Sequence, residues 1–281
     1  MHESRSVIEP TKRWQAVNWA ELASYRDLLF FLVWRDIKVV YKQTVMGLAW
    51  ALIRPVFGML VFTVVFGRLA QIRSDGIPYA LFSYTALVPW FYFSTALTKA
   101  SNSLVTNRNL LTKVYFPRYV IPFTPILAGL LDFAISFALL LVMMIGYRIL
   151  PTWAILYTPL LVLLMVVTAA GIGMWAAALA IRYRDIEFGM QFFVPLLMYG
   201  APVVWPASLI AAHFPAHPLA ARLLYGLYPM AGVIEGFRAA LLGKTPMPWD
   251  LLATGTLAAL ALFLSGATYF RRTEDTFADV A

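Results

Sequence analysis

The sequence KASNSLVTNRNLLTKVYFPR, residues 99–118, decides the fold that this chain predicts. We call it the cytosolic segment; it is polar, carries four cations and has long apolar blocks on both sides. Its centre alternates Leu104, Leu111 and Val114 with Asn107, Arg108 and Lys113. This alternation is typical of an amphipathic helix that lies on a membrane surface and does not cross it. The segment therefore predicts two membrane spans joined by a short helix in the cytosol.

The composition supports a membrane protein with several spans. The 281 residues are 61% hydrophobic and 13% charged, with a mean hydropathy of +0.74, and the apolar residues occur in blocks long enough to cross a bilayer. The absence of cysteine excludes disulfides and thiolate metal sites. The net charge of +8 is typical of loops held on the cytoplasmic side, so we expect no nucleic-acid partner.

The N-terminal region predicts a tail followed by an interface helix. Residues 1–21 are polar and aperiodic, without the apolar core of a signal peptide. Residues 25–42 have one short apolar run and then mix charged with aliphatic side chains. This pattern predicts a helix in the membrane interface whose basic side chains face lipid phosphates. These side chains are Arg26, Arg35, Lys38 and Lys42. An N-terminal extension of the first span is the alternative.

Six apolar blocks predict six membrane spans. They cover residues 47–70, 78–98, 119–147, 153–181, 188–204 and 249–270. Residues 205–248 are broken by Pro206, Pro215, Pro218 and Pro229, and we expect two short helices there that dip into the outer leaflet. The predicted inside segments hold 15 cations and the short outside turns hold 3. This asymmetry places both termini in the cytoplasm.

Several residues inside the spans suggest more than one role. Pro55 predicts a kink beside Arg54, whose side chain can reach the headgroups. Asp132 either lies on a pathway, or is merely protonated or hydrogen-bonded by Ser136. The PWFYF stretch, residues 89–93, fits either an interfacial aromatic belt or a path for sugars. Small residues at 169, 173 and 177 predict close contact with a neighbouring helix.

Catalytic motifs are missing from the sequence. Gly243-Lys244-Thr245 resembles the end of a phosphate-binding loop, but Arg238 occupies the position of the required glycine. Pro215 separates His213 from His217, which disfavours a metal site. A membrane glycosyltransferase would need an acidic pair on a water-exposed loop, and Asp185 and Glu187 lie in a short basic turn. We therefore expect no enzyme, and energy supplied by another subunit.

Four motifs resemble those of the permease subunits of type-2 ATP-binding-cassette exporters, in particular the exporters of lipid-linked O-antigen polysaccharide. They are YRDLLFFLVWRDIKVVYKQTVMGLAWALIRP (25–55), LLTKVYFPRYVIP (110–122), RYRDIEF (182–188) and YPMAGVIEGFRAALLG (228–243). The chain departs from the family at Tyr228-Pro229, where Asn-Pro is common.

The resemblance implies an all-α integral membrane protein. It would have six transmembrane helices, an N-terminal amphipathic interface helix, a cytosolic coupling helix, and short re-entrant or periplasmic gate helices between spans five and six. The implied division is residues 1–46 for the tail and interface helix, 47–272 for the transmembrane domain and 273–281 for a cytosolic tail.

The implied function is ATP-driven export of polyprenyl-linked O-antigen polysaccharide across the bacterial inner membrane. Two copies of the chain would pair, and two separate ATPase subunits would use ATP and Mg²⁺, so that this chain would bind no cofactor or metal. Export of capsular polysaccharide, teichoic acid or a small molecule remains an alternative, because the fold is shared.

The resemblance also assigns candidate site residues. Contacts to the ATPase would come from Leu104, Asn107, Arg108, Leu111, Lys113, Arg182, Arg184 and Asp185. The substrate path or its gate would involve Arg54, Trp90, Phe91, Tyr92, Phe192, Phe193, Tyr199 and Trp205. The first and fifth spans would line most of this path.

Overall fold

Helices joined by short turns make up the described part of the chain, which has no strand. The computed structural model describes residues 23–42, 47, 49–72, 74–113, 116–274 and 277. Within them, four helices are long and apolar enough to cross a membrane: Ala49–Leu69, Val120–Gly146, Trp153–Ala180 and Trp249–Thr273. The prediction of an all-helical chain with several apolar spans is confirmed. The predicted tail, residues 1–21, lies outside the described residues.

The helices are numbered here in chain order. The first half contains α1 (Arg26–Lys42), α2 (Ala49–Phe62), α3 (Tyr79–Ser101), α4 (Ser103–Thr106), α5 (Arg108–Lys113) and α6 (Val120–Gly146). A π-helical segment, Thr63–Leu69, extends α2. The second half contains α7 (Thr158–Ala180), α8 (Asp185–Gly200), α9 (Ser208–His213), α10 (Pro218–Gly226), α11 (Pro229–Leu242) and α12 (Trp249–Thr273). A 3₁₀ turn, Trp153–Tyr157, precedes α7.

Helices α3 and α8 occupy the second and fifth predicted spans but are not among the four apolar spans. Most residues of α3 are buried against other helices, and these include the polar residues Ser83, Thr85 and Ser101. Thr85, for example, donates a hydrogen bond to the carbonyl of Leu81 within the helix (2.7 Å). Helix α8 has only 16 residues, whereas a span needs about 20. The count of six spans therefore stays a prediction.

Glycines allow the closest helix contacts in the bundle. A β-carbon on Gly171 of α7 would lie 2.6 Å from the backbone nitrogen of Phe263 in α12. A β-carbon on Gly173 would lie 2.9 Å from that of Ala100 in α3. The prediction that small residues of α7 face a neighbouring helix is confirmed. Helix α7 thus contacts α12 on one side and α3 on another.

The region between α8 and α12 contains three helices and not the two that we predicted. Pro218 and Pro229 each occupy a first-turn position, where a proline needs no hydrogen-bond partner for its nitrogen. These prolines begin helices and do not break them. All residues of α11 are buried, and it ends at Gly243, whose φ of 62° is left-handed. Helix α11 is therefore part of the core.

Candidate functional site

The cytosolic segment forms two short helices where one continuous helix was predicted over residues 104–113. Asn107 lies between α4 and α5, and its side-chain amide donates to the carbonyl of Ser103 (2.9 Å). Local bonds from asparagine to the backbone compete with helix continuation. The single coupling helix is therefore corrected to two helices that meet at Asn107.

The leucines of the segment face the protein interior. Leu104 is fully buried and Leu111 is 6% exposed, in an apolar cluster that includes Leu32 of α1 and Phe270 of α12. Arg108 is exposed on the opposite side. The two leucines therefore anchor the segment to the bundle, and its polar side chains form the outer surface. The side chain of Lys113 lies outside the described part of the structure.

Hydrogen bonds join the segment to the turn at residues 182–187 and to α1. Asn102, at the end of α3, donates to the carboxylate of Glu187 (3.4 Å). Arg35 of α1 donates to the side-chain oxygen of Asn107 (3.2 Å). The structure thus brings together the segment, the turn at residues 182–187 and the interface helix. The remaining candidates in that turn are all exposed: Arg182, Arg184 and Asp185.

The C-terminal end of α12 contacts the exit of the cytosolic segment. The backbone nitrogen of Arg118 donates to the carboxylate of Glu274 (3.0 Å), and its guanidinium donates to the carbonyl of the same residue. The ring of Phe277 is buried edge-on against Phe270, with ring centroids 5.1 Å apart. Two residues of the predicted cytosolic tail, Glu274 and Phe277, therefore pack against the bundle.

Helix α1 has a buried side and an exposed side that mixes charged residues with large apolar ones. Leu32 is buried toward the bundle, whereas Phe30 is 70% exposed. The basic candidates differ in their surroundings. Arg26 pairs with Asp27, Arg35 pairs with Asp36, Lys38 lies over the Trp34 ring, and Lys42 is exposed in the last turn. An interface helix needs this kind of amphipathic surface.

A cavity of about 300 Å³ lies between α1, α2, α3 and α6. Arg54, Lys99 and Asp132 line it. The hydroxyl of Tyr41 donates to Asp132. Ser136 does not bond Asp132, because its hydroxyl donates to the carbonyl of Ala51 (2.8 Å). The alternative that Ser136 satisfies Asp132 is therefore wrong, and Arg54 faces a cavity inside one chain.

The aromatic candidates of α3 are largely internal. Trp90 and Tyr92 are 2% and 4% exposed, and the Tyr92 hydroxyl donates to the carbonyl of Ile126 (3.0 Å). Phe91 is half-buried and lines the cavity beside Arg54. Trp90 therefore lies in the core, and Tyr92 lies in the core at the edge of the same cavity.

The aromatic candidates of α8 are on the outside. Phe192, Phe193 and Tyr199 are each more than 60% exposed. Beyond α8, Trp205 is half-buried and its ring stacks on Tyr225, with centroids 5.7 Å apart. The eight predicted path residues thus fall into four places: the cavity, the core around α3, the outer side of α8, and the contact of Trp205 with α10.

The structure contains a buried ion pair that the sequence reading did not identify. Arg238 and Glu235 of α11 are joined at 3.0 Å. Arg238 also donates to the carbonyl of Val203 (3.0 Å), and its guanidinium lies 3.5 Å from the ring centre of Phe82. Glu235 accepts a bond from the backbone nitrogen of Ala207 (2.8 Å). Opposite charges three residues apart in an apolar helix were the available signal.

A second ion pair joins α10 to α12. Arg222 donates two hydrogen bonds to the carboxylate of Asp250. Hydrogen bonding to Asp250 raises the pKa of Arg222 above its usual value. The described residues contain no group of three or more histidine, aspartate or glutamate side chains that could hold a metal ion.

Long apolar helices around a buried core, with a polar connection at one end, define a multi-pass integral membrane protein. The ABC-2 type transporter family model matches residues 27–242. The chain therefore belongs to the ABC-2 type transporter family, whose members associate with an ATP-binding-cassette ATPase. The matched range includes the cytosolic segment, the turn at residues 182–187 and α11.

Similar proteins cover nearly the whole chain. The O-antigen export system permease protein RfbA of Myxococcus xanthus is 28% identical over 256 residues, which are 91% of this chain and 96% of the relative. Two proteins of the same name from Klebsiella pneumoniae are 24% and 23% identical, each over 90% of this chain and 95% of the relative.

Proposed function

We propose that this chain is the membrane-spanning subunit of an exporter that moves polyprenyl-linked O-antigen polysaccharide from the cytoplasmic to the periplasmic side of the inner membrane. The observation that carries the proposal is similarity over 90% or more of the chain to three permeases named for O-antigen export. The same comparisons give no support to capsule, teichoic-acid or drug export.

The proposed assembly is a homodimer with two separate ATPase subunits. The exposed aromatic side of α8 and the exposed apolar residues of α2 support it, because such surfaces need a partner chain or lipid. Phe57 of α2 is 66% exposed and Phe192 of α8 is 64% exposed. The ATPases would use ATP and Mg²⁺, and this chain would bind neither.

The proposed topology has six spans with both termini in the cytoplasm. Helices α2, α3, α6, α7, α8 and α12 would be the spans, and α9, α10 and α11 would lie toward the periplasm. The excess of cations in the predicted inside segments supports this orientation. The domain division at residues 46 and 272 follows from it.

The proposed ATPase contact combines the cytosolic segment with the turn at residues 182–187. The hydrogen bond between Asn102 and Glu187 supports a shared surface, since it connects the two. On this surface the polar residues would contact the ATPase, and Leu104 and Leu111 would transmit its movement to α1, α6 and α12 through their buried contacts.

The proposed substrate path follows the exposed side of α8. Phe192, Phe193 and Tyr199 would offer aromatic faces to sugar rings, because such faces make apolar contacts without fixed hydrogen bonds. Trp205 would lie near the outer mouth, next to the three helices of residues 208–242. Trp90 and Tyr92 would support the path from within the core.

Deletion of the gene tests the cargo. We expect the deletion to remove O-antigen from the cell surface and to leave polyprenyl-linked polysaccharide in the cytoplasmic leaflet, and we expect a plasmid copy to restore export. Surface polysaccharide is measured by gel electrophoresis and glycan staining. The assignment would be overturned if the deletion strain kept normal O-antigen and instead lost its capsule, or changed only in drug resistance.

A further inference from the structure

We propose that the cavity between α1, α2, α3 and α6 binds the phosphate headgroup of an anionic bilayer phospholipid. The proposal goes beyond export, because this ligand is a component of the membrane and not the cargo. It uses the proposed orientation only to place the cavity at the cytoplasmic leaflet.

The cavity has an excess of positive charge. Arg54 and Lys99 both line it, and in the described part of the chain neither has a hydrogen bond or an ion pair. Asp132 is the acidic residue that lines the cavity, and it already accepts a hydrogen bond from Tyr41. Asp36, outside this cavity, also attracts Lys99, but its carboxylate is paired with Arg35. The lining itself therefore has one acid for its two cations. An anion that binds between them would relieve their mutual repulsion.

Two other hydroxyls of the cavity are already satisfied, whereas that of Thr95 adds a neutral donor. The Ser136 hydroxyl donates to the carbonyl of Ala51 (2.8 Å), and the Tyr92 hydroxyl donates to the carbonyl of Ile126 (3.0 Å). The guanidinium and the ammonium therefore remain as the main donors for a ligand. Both groups are suited to phosphate oxygens, with which they form charge-assisted hydrogen bonds.

The position of the cations fits a lipid headgroup. Lys99 is in the last turn of α3 and Arg54 is in the second turn of α2, so both lie near one end of the spans. Cations at span ends reach phosphates at the membrane surface. Trp50, Phe91 and Phe133 complete the wall of the cavity. This arrangement suits an amphiphile that has a phosphate beside an apolar chain.

A neighbouring cavity of about 320 Å³ shares Val40 and Lys99 with the first. Its own charged residues, Arg35 and Asp36, pair with each other at 2.9 Å. The neighbouring cavity therefore adds little net charge. We place the anion site in the first cavity, between Lys99 and Arg54. A volume of about 300 Å³ holds one headgroup but leaves no room for a diphosphate with its sugar chain.

The test uses the purified full-length chain with its ATPase and a short-chain phosphatidylglycerol as the probe. Binding is measured by native mass spectrometry during a titration, with phosphatidylcholine, glycerol 3-phosphate and a polyprenyl diphosphate in parallel. We expect phosphatidylglycerol to bind in preference to the other three. Arg54→Gln and Lys99→Gln should each weaken its binding by roughly fivefold or more, as expected for one cation at a lipid phosphate.

Matched controls separate this site from the overall charge of the protein. Arg68→Gln and Lys244→Gln remove the same charges outside the cavity, and we expect binding to be unchanged. Arg54→Lys keeps the charge and should retain most of the binding even if Arg54→Gln fails to fold. The proposal is overturned if phosphatidylcholine binds equally well, if glycerol 3-phosphate or polyprenyl diphosphate is preferred, or if the cavity variants bind like the controls. These results do not depend on whether O-antigen is exported.

Discussion

The hydroxyl of Ser136 in α6 donates to the carbonyl of Ala51 in α2 at 2.8 Å. Ala51 precedes Pro55 by four residues, so its carbonyl is the one that would accept from residue 55 in an unbroken helix. Proline has no backbone N–H, and the carbonyl is left without its helical donor. Ser136 replaces that donor, which is how helices in membranes tolerate an internal proline.

We expect Ser136→Ala to lower the free energy of unfolding by about 1 kcal/mol, because the Ala51 carbonyl loses its partner. In a Pro55→Ala background the helix supplies its own donor, so the same change should cost much less. Chemical denaturation in detergent measures the free energy of unfolding in the two backgrounds. Ser94→Ala is the control, since its acceptor, the Phe91 carbonyl, lies inside an unbroken stretch of α3. Equal costs in the two backgrounds would contradict this account.

We expect the buried pair of α11 to be sensitive to removal of one partner. Arg238→Met would leave Glu235 buried without its cation and should cost about 3 kcal/mol or more, while replacing both residues by Met should cost less than the sum of the single changes. Thermal unfolding of the purified variants measures this difference. Arg222→Met is the comparison, because the Arg222–Asp250 pair is partly exposed and should contribute about 1 kcal/mol or less. Similar losses at Arg222 and Arg238 would argue against the importance of burial.

Local sequence patterns predicted the helical class and the positions of the long apolar helices well. Apolar blocks of more than twenty residues have one stable conformation in a bilayer, so the four apolar spans could be read directly. The close contact of Gly173 with a neighbouring helix could also be predicted, because small residues at four-residue spacing are typical of helix–helix interfaces in membranes.

Contacts between residues far apart in the chain could not be predicted from the sequence. Ser136 bonds a residue 85 positions away, and Tyr41 bonds Asp132 across 91 positions. Such partners depend on how helices are arranged, and hydrophobic periodicity carries no information about that arrangement. The burial of Trp90 and Leu111 could not be predicted for the same reason. A local pattern does not distinguish an aromatic residue in the membrane interface, or an apolar residue on a surface helix, from one in the core.

We expect Gly171→Ala to disrupt the contact between α7 and α12. An added β-carbon would lie 2.6 Å from the backbone nitrogen of Phe263, and backbone atoms in a packed helix cannot move aside at low cost. Expression in the membrane and thermal stability should both fall. Gly146→Ala is the matched control, because nothing lies within 4 Å of its β-carbon. A stable Gly171→Ala protein would show that the helices are farther apart than described.

The last prediction separates residues that contact the ATPase from residues that hold the cytosolic segment. Arg184 is exposed in the turn at residues 182–187, so Arg184→Glu should leave the melting temperature unchanged. A reversed charge at an interface costs ~1 kcal/mol or more, so we expect roughly fivefold weaker binding of the ATPase and a matching loss of export. Leu111 is buried among α1, α6 and α12, so Leu111→Asp should lower the melting temperature together with export.

Binding of the ATPase is measured by co-purification at increasing concentration, and stability is measured by thermal unfolding of the chain alone. Lys244→Glu, which reverses a charge in the loop after α11, is the control and should change neither quantity. If Arg184→Glu lowers stability as much as Leu111→Asp does, the turn is part of the structural core and not an ATPase contact. If Leu111→Asp weakens ATPase binding at an unchanged melting temperature, Leu111 contacts the ATPase directly. The proposed arrangement is an outer polar surface held in place by buried leucines. It requires that both variants lose export, but that only Leu111→Asp lowers the melting temperature.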